Sequence, residues 1–200
     1  LTPENGVHDL IDAFGQIAPH FPQVRLSLIG KTNTATASHA DPALRSHYVG
    51  NYLEQLHKRI PKHLKKRVNF YKSPSEAELV AHYQACNLVV HAGYGGGYNM
   101  SLAEAGACGK PVIGTTALSN ADIVRDGETG FTIAPGEVYL LAQAMGILLQ
   151  DVKEQARMGQ NGRVRVKYLF EWEQIATTTL SIYRYLLEPQ QTQVMVSPTM

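Results

Sequence analysis

LVVHAGYGGGYNMSLAE, residues 88–104, is the stretch that decides how this chain reads. The apolar NLVVHA predicts a buried strand over 87–92, GYGGG a glycine-rich turn, and the stretch from about 99 to 108 a helix. Gly93, Gly95, Gly96 and Gly97 leave backbone N–H groups bare and let a ligand come close. A helix that starts just after such a turn aims its free N–H groups and the positive end of its dipole at that ligand. This is a place suited to phosphate. Glu104 falls more than one turn into the helix. A carboxylate there repels a diphosphate but accepts hydrogen bonds from neutral hydroxyls, such as those of a ribose. The plainer alternative is a glycine turn followed by a solvated glutamate.

Strands and helices alternate outward from this segment. An apolar stripe of Val7, Leu10, Ile11, Phe14 and Ile17 predicts a helix over 6–18, closed by Pro19 and Pro22. VRLSLIG, 24–30, reads as a strand, and the polar stretch from Lys31 to about Ser46 as a long loop. A helix over 48–59 carries Tyr48, Tyr52, Leu53 and Leu56 on one side, and VNFY at 68–71 is a short strand. Ser75 and Glu78 form a capping box that opens a helix to about Ala85. PVIGTT at 111–116 is a strand, and Ser119 with Asp122 makes a second box on a short helix. A turn at 126–131 leads into a strand ending near Ile133, and helices follow at about 136–149, 151–168 and 171–187. The expected fold class is α/β, a Rossmann-like doubly wound parallel sheet with helices on both faces. It reads as a single domain over 1–187 with a polar C-terminal tail at 188–200. Such sheets bind ligands at the carboxyl ends of their strands, here the loops after Gly30, Tyr71, Val90 and Gly114.

Composition removes several classes. Lys plus Arg is 18 and Asp plus Glu 17, a net +1, which argues against nucleic acid as a partner. At 44% hydrophobic and 18% charged residues, the chain is ordinary globular protein of about 200 residues, not a disordered one. No apolar run approaches the ~18–20 residues of a membrane span. Cys86 and Cys108 sit in apolar stretches and read as packing residues rather than a disulfide framework. The dinucleotide fingerprint fails, because Tyr98 stands where its third glycine belongs and no acid follows strand 111–116 until Asp122. A P-loop fails too, for want of Gly-Lys-Ser/Thr after the turn. The histidines are scattered without paired spacing, so no metal site is expected.

Four segments together resemble one family. NGVHDLIDAF (5–14) is similar to K-G-x-x-x-L-I-x-A-F, and GGGYNMSLAEAGACGKPVIG (95–114) to E-G-F-G-L-x-x-L-E-A-M-A-x-G-x-P-V-I. ADIVRDGETGFTI (121–133) is similar to P-E-I-V-x-D-G-x-T-G-x-L-V, and FEWEQIATTTLSIYRYLL (170–187) to F-S-W-x-x-I-A-x-x-x-L-x-x-Y. The chain thus resembles the C-terminal, nucleotide-sugar-binding half of a GT-B glycosyltransferase of the retaining group called family 4. The resemblance implies a hexosyltransferase-like enzyme of polysaccharide or glycoconjugate biosynthesis. It implies a UDP-, GDP- or ADP-sugar donor, no metal or other cofactor, and an acceptor held by an N-terminal domain before Leu1. On that reading the chain lacks the sheet's first strand and does not turn over alone. Glu104 matches the acid on the donor's ribose, and Gly97, Tyr98, Asn99 and Met100 match the backbone that holds diphosphate and sugar.

The sequence departs from the family at informative points. Gly96 stands at the sugar-facing glutamate, so the catalytic residue is unassigned, and Asn5 stands at a lysine that neutralises diphosphate. Leu118 and Ser119 replace a glycine pair, and Asp122 replaces the glutamate beside it. Lys31 and Lys72 follow strands and could offset the diphosphate, or are solvated rim lysines; His91 could bond the donor sugar or be structural. The basic run from Lys58 to Arg67 reads as a solvated helix end, or as a peripheral contact to anionic lipid in a cytoplasmic protein. Trp172 and Tyr183 are expected to pack the last helix, which in the family braces the other domain. Two other readings stand beside the enzyme: a non-catalytic GT-B-like scaffold, and another GT-B sugar enzyme such as a nucleotide-sugar epimerase.

Overall fold

In this computed structural model residues 1–31, 42–95, 99–117 and 120–187 are described. They form two units that divide between Val166 and Lys167. In the first unit, helix α1 (Val7–Ile17) leads to strand β1 (Leu26–Ile29), a 3-10 segment (Pro42–Tyr48) and helix α2 (Tyr52–Arg59). Strand β2 (Val68–Tyr71), helix α3 (Glu76–Ala85), strand β3 (Val89–Val90) and helix α4 (Met100–Ala107) follow. Strand β4 (Val112–Thr115), helix α5 (Asn120–Ile123), strand β5 (Gly130–Ile133), helix α6 (Val138–Gln150) and helix α7 (Val152–Phe170) come next, α7 running on into the second unit. Helix α8 (Trp172–Leu187) lies in that second unit.

Among the described residues every strand pairing is parallel, as the alternation requires. The strands form two sheets, however: β1 with β2, and β3-β4-β5. A cleft of about 860 Å³ is lined by residues 25–30 of β1 and its ends and by residues 87–92 around β3. Neither β2 nor β4 lines it. Its backbone edges can be read from the ladders. Gly30 N–H bonds the carbonyl of Tyr71, so Leu28 and Leu26 also face β2, while Ser27 and Ile29 turn their N–H and C=O groups the other way. Val89 and His91 N–H groups bond Pro111 and Ile113, so Leu88 and Val90 face away from β4.

The core explains the helices. The predicted stripe of α1 is buried, with Ile11 and Phe14 each 1% exposed, against Leu141, Met145 and Leu148 of α6 and Leu26 and Leu28 of β1. Arg67 ties this layer by donating to the carbonyls of Val24, Ala18 and Phe21, its guanidinium 5.5 Å from the Phe14 ring centroid. Arg59 joins α2 to α1 through a bidentate pair with Asp12, Nε to Oδ1 at 2.7 Å. Two members of the basic run, Arg59 and Arg67, are therefore internal braces, while Lys58, Lys62, Lys65 and Lys66 stay exposed. On α7, a Cβ on Gly159 would fall 2.0 Å from the carbonyl oxygen of Gly109, so the helix lies directly on the α4–β4 connection.

Several expectations are corrected. The six-residue strand over 87–92 shortens to β3, and Leu88, Val89 and Val90 are half-buried rather than buried, because among the described residues β3 has a ladder on one side only. The helix over 48–59 begins at Tyr52, since Asn51 Oδ1 accepts from Glu54 N–H and caps it there; Tyr48 belongs to the 3-10 segment. That segment also takes the end of the predicted loop; 32–41 lie outside the described residues, as does Ser119 of the second capping box. Trp172 is 82% exposed and Tyr183 59%, so neither packs: α8 buries none of its residues. Among the described residues no helix is long and apolar enough to cross a membrane.

Candidate functional site

Three chain segments meet at the carboxyl end of β3. Gly6 begins α1 with φ 63°, and a Cβ on it would lie 1.9 Å from the carbonyl oxygen of Ala92. Only glycine accommodates both the left-handed backbone and that approach. Tyr94 N–H then donates to the carbonyl of Glu4 at 2.9 Å, and Tyr94 Oη to Asp9 Oδ2 at 2.7 Å. Thr115, at the end of β4 and 1% exposed, donates Oγ1 to the carbonyl of Gly93 at 2.6 Å. The first half of the glycine turn is thus pinned from α1 on one side and β4 on the other.

Glu104, Asn99 and His91 line the cleft, together with Asn5, Tyr83 and Ser101. Glu104 is an exposed residue on α4 whose Oε2 accepts from Tyr83 Oη at 2.9 Å. Asn99 precedes α4 without capping it; its Oδ1 accepts instead from Ser101 Oγ at 2.6 Å. Met100 is the first residue of α4 and is 49% exposed. His91 lies 3.5 Å from Asn5 Nδ2 through Nε2, and its Nδ1 accepts from Gly93 N–H at 3.4 Å. Burial pushes its pKa down, which keeps the ring neutral. Asn5, at the family's lysine position, therefore faces His91. Gly96, Gly97 and Tyr98 lie outside the described residues. Lys31 and Lys72 are exposed and do not line the cleft, because they cap β1 and β2 while the cleft lies on the other flank of β1. Among the described residues no group of three His, Cys, Asp or Glu side chains is arranged for a metal ion.

Sequence reading missed a buried cluster behind the turn. The His8 ring stacks on His47 at 4.0 Å and on Tyr94 at 5.9 Å between centroids, and its Nδ1 lies 2.9 Å from Tyr52 Oη. Burial first, then the positive charges of His47 and Arg59, hold His8 at a pKa of about 4 against the pull of Asp12. Burial also holds the Asp9 carboxyl above the usual range, although its bond from Tyr94 works the other way. The signal was hidden because α1 and the 3-10 segment are far apart in the chain. The Tyr83–Glu104 pair was missed for the same reason, its members standing 21 residues apart.

Residues 1–165 match the family described as Glycosyl transferases group 1. The capsular polysaccharide biosynthesis glycosyltransferase CapM of Staphylococcus aureus is 27% identical over 188 residues, 94% of this chain and 45% of that protein. Sucrose-phosphate synthase of Thermosynechococcus elongatus aligns with a TM-score of 0.72 at 31% identity, over 92% of this chain and 42% of that one. Anabaena Alr3699/HepE, solved in complex with UDP and glucose, aligns with a TM-score of 0.75 at 27% identity, over 93% of this chain and 46% of that one. The chain thus spans less than half the length of each of these relatives. The parallel α/β fold is the one these glycosyltransferases share, and the chain belongs to the group 1 glycosyl transferases.

Proposed function

We propose that this chain is the donor-binding part of a retaining glycosyltransferase and holds a nucleoside-diphosphate sugar at the carboxyl end of β3. The observation that carries the reading is the Glu104 carboxylate on α4, lining the cleft with Asn99, on the helix that follows the glycine-rich stretch in sequence. The diphosphate lies against the N–H groups of residues 97–100 and the positive end of α4, and Glu104 accepts from the ribose hydroxyls. Charge developing on the leaving diphosphate is met by the positive end of α4, and Tyr94 and Thr115 hold the strand end at Gly93 and Tyr94 beside it. His91 supplies a neutral ring toward the sugar, paired with Asn5. UDP is the first nucleotide to try, because HepE is solved with UDP and glucose.

The acceptor and any catalytic acid or base belong to an N-terminal half before Leu1. Support for a preceding strand comes from the cleft itself. Among the described residues the edges of β1 and β3 that line the cleft pair with no strand, and Leu1 lies beyond the carboxyl end of β1, its ammonium bonding the carbonyl of Lys31. The missing sugar-facing acid at Gly96 favours a second reading, a GT-B-like binding scaffold without transfer activity.

Titration calorimetry with UDP, GDP and ADP separates the two. Micromolar binding of one of them is the expected result, and no binding by folded protein supports the scaffold. Glu104→Ala should weaken the nucleotide that binds by about 1.5–3 kcal/mol, the range for hydrogen bonds to a charged group. Unchanged affinity would remove the ribose assignment.

A further inference from the structure

We infer that Tyr83 is a positioning residue of the nucleotide site, fixing the Glu104 carboxylate so that its second oxygen receives a pair of neighbouring hydroxyls. The inference rests on the reading of Glu104 as the ribose acceptor and deepens it. Tyr83 is 8% exposed near the end of α3, and its hydroxyl reaches Glu104 Oε2 at 2.9 Å. Oε1 bonds no other described residue. Both side chains line the same cleft, with Asn99 and Ser101 beside them.

An exposed glutamate on a helix ordinarily samples several rotamers, and ordering it on ligand binding costs side-chain entropy. A buried phenol that offers only its hydroxyl removes that freedom in advance, because its ring cannot move and its one donor has one nearby acceptor. Tyr83 also remains a donor. Burial first, then the bond to Glu104 and its charge, push its pKa further up. The carboxylate is acceptor-only, so with Tyr83 on one oxygen the other can be satisfied only by incoming donors. A ribose diol supplies two. The diphosphate diester of a nucleotide sugar, ionised on both phosphates, supplies none, and a 2′-deoxyribose supplies one.

The test uses the full-length protein, Tyr83→Phe, Glu104→Ala and the double variant. Calorimetry is run against UDP, GDP and ADP and their 2′-deoxy forms. Phenylalanine keeps the buried ring, so a merely structural role would leave the ribose-to-deoxyribose ratio unmoved. The expected result is a loss of about 3–10-fold for the ribonucleotide with a smaller loss for the deoxy form. In the Glu104→Ala background, Tyr83→Phe should add nothing. An equal change for both nucleotides, or none for either, overturns the inference. If Glu104→Ala lowers the ratio while Tyr83→Phe does not, the positioning role alone falls. If Glu104→Ala leaves the ratio unchanged, or no nucleotide binds, the ribose reading falls and the inference with it.

Discussion

The contact of Gly6 with Ala92 is a case where a single hydrogen atom in place of a methyl group holds two elements together. A Cβ there would meet backbone rather than a flexible side chain, and the φ of 63° adds strain for any other residue. Gly6→Ala should therefore destabilise the protein by about 2–4 kcal/mol, combining backbone strain with displacement of the α1 entrance. Thermal unfolding checks this, and an unchanged Tm would mean that α1 is not pinned to the end of β3. The glycine was visible in NGVHDLIDAF, but what it touches was not, since Ala92 belongs to a different segment. Glu104 shows the same limit. Its place on the helix was legible from spacing, whereas its partner Tyr83 stands on another helix 21 residues away and carried no signal.

Among the elements, local chemistry was read more faithfully than partnership. The box at Ser75 and Glu78 is present as expected, with Glu78 Oε2 accepting from Ser75 N–H at 2.8 Å and Ser75 Oγ from Glu78 N–H at 3.4 Å. Those bonds hold the Glu78 carboxyl below its usual pKa. Ser75→Ala should cost about 1 kcal/mol, the ordinary loss of a cap, measurable as a lowered Tm without change in nucleotide affinity. A shift in affinity would mean that α3 moves when its cap is lost. Strand β3 failed in the opposite way. LVVHA has the composition of a strand flanked on both sides, and it is flanked on one. Composition reports what a strand is built for; the ladder reports which neighbours are present. α8 carries a comparable mismatch, with apolar residues such as Leu186 and Leu187 at 69% and 82% exposure.

For the whole molecule, the histidines set the response to acid. Burial pushes His8, His47 and His91 below their ordinary value near 6.5, His8 to about 4. In the unfolded chain these rings take up protons near that ordinary value, and the folded chain refuses them. Stability is therefore complete above about pH 6.5 and falls as pH drops toward the folded values. Arg59 and Asp12 face the His8 cluster with opposite signs, and Asp9, whose raised carboxyl favours the folded state on acidification, softens the loss at its acid end. Tm should fall between pH 7 and pH 5, and His8→Gln should flatten that slope. Equal Tm values at the two pH values would contradict the burial of the rings.

The facing edges of β1 and β3 also imply a rhythm in time. Along each strand, every second backbone amide is locked in a ladder and its neighbour is not. In a chain of these residues alone, the amide hydrogens of Ser27, Ile29, Leu88 and Val90 should exchange with deuterium quickly, while those of Leu28 and Val89 exchange slowly. In a longer protein whose preceding strand lies between the sheets, the alternation should vanish and both runs should become continuously protected. The difference between those two exchange patterns would report, residue by residue, whether the central strand has docked.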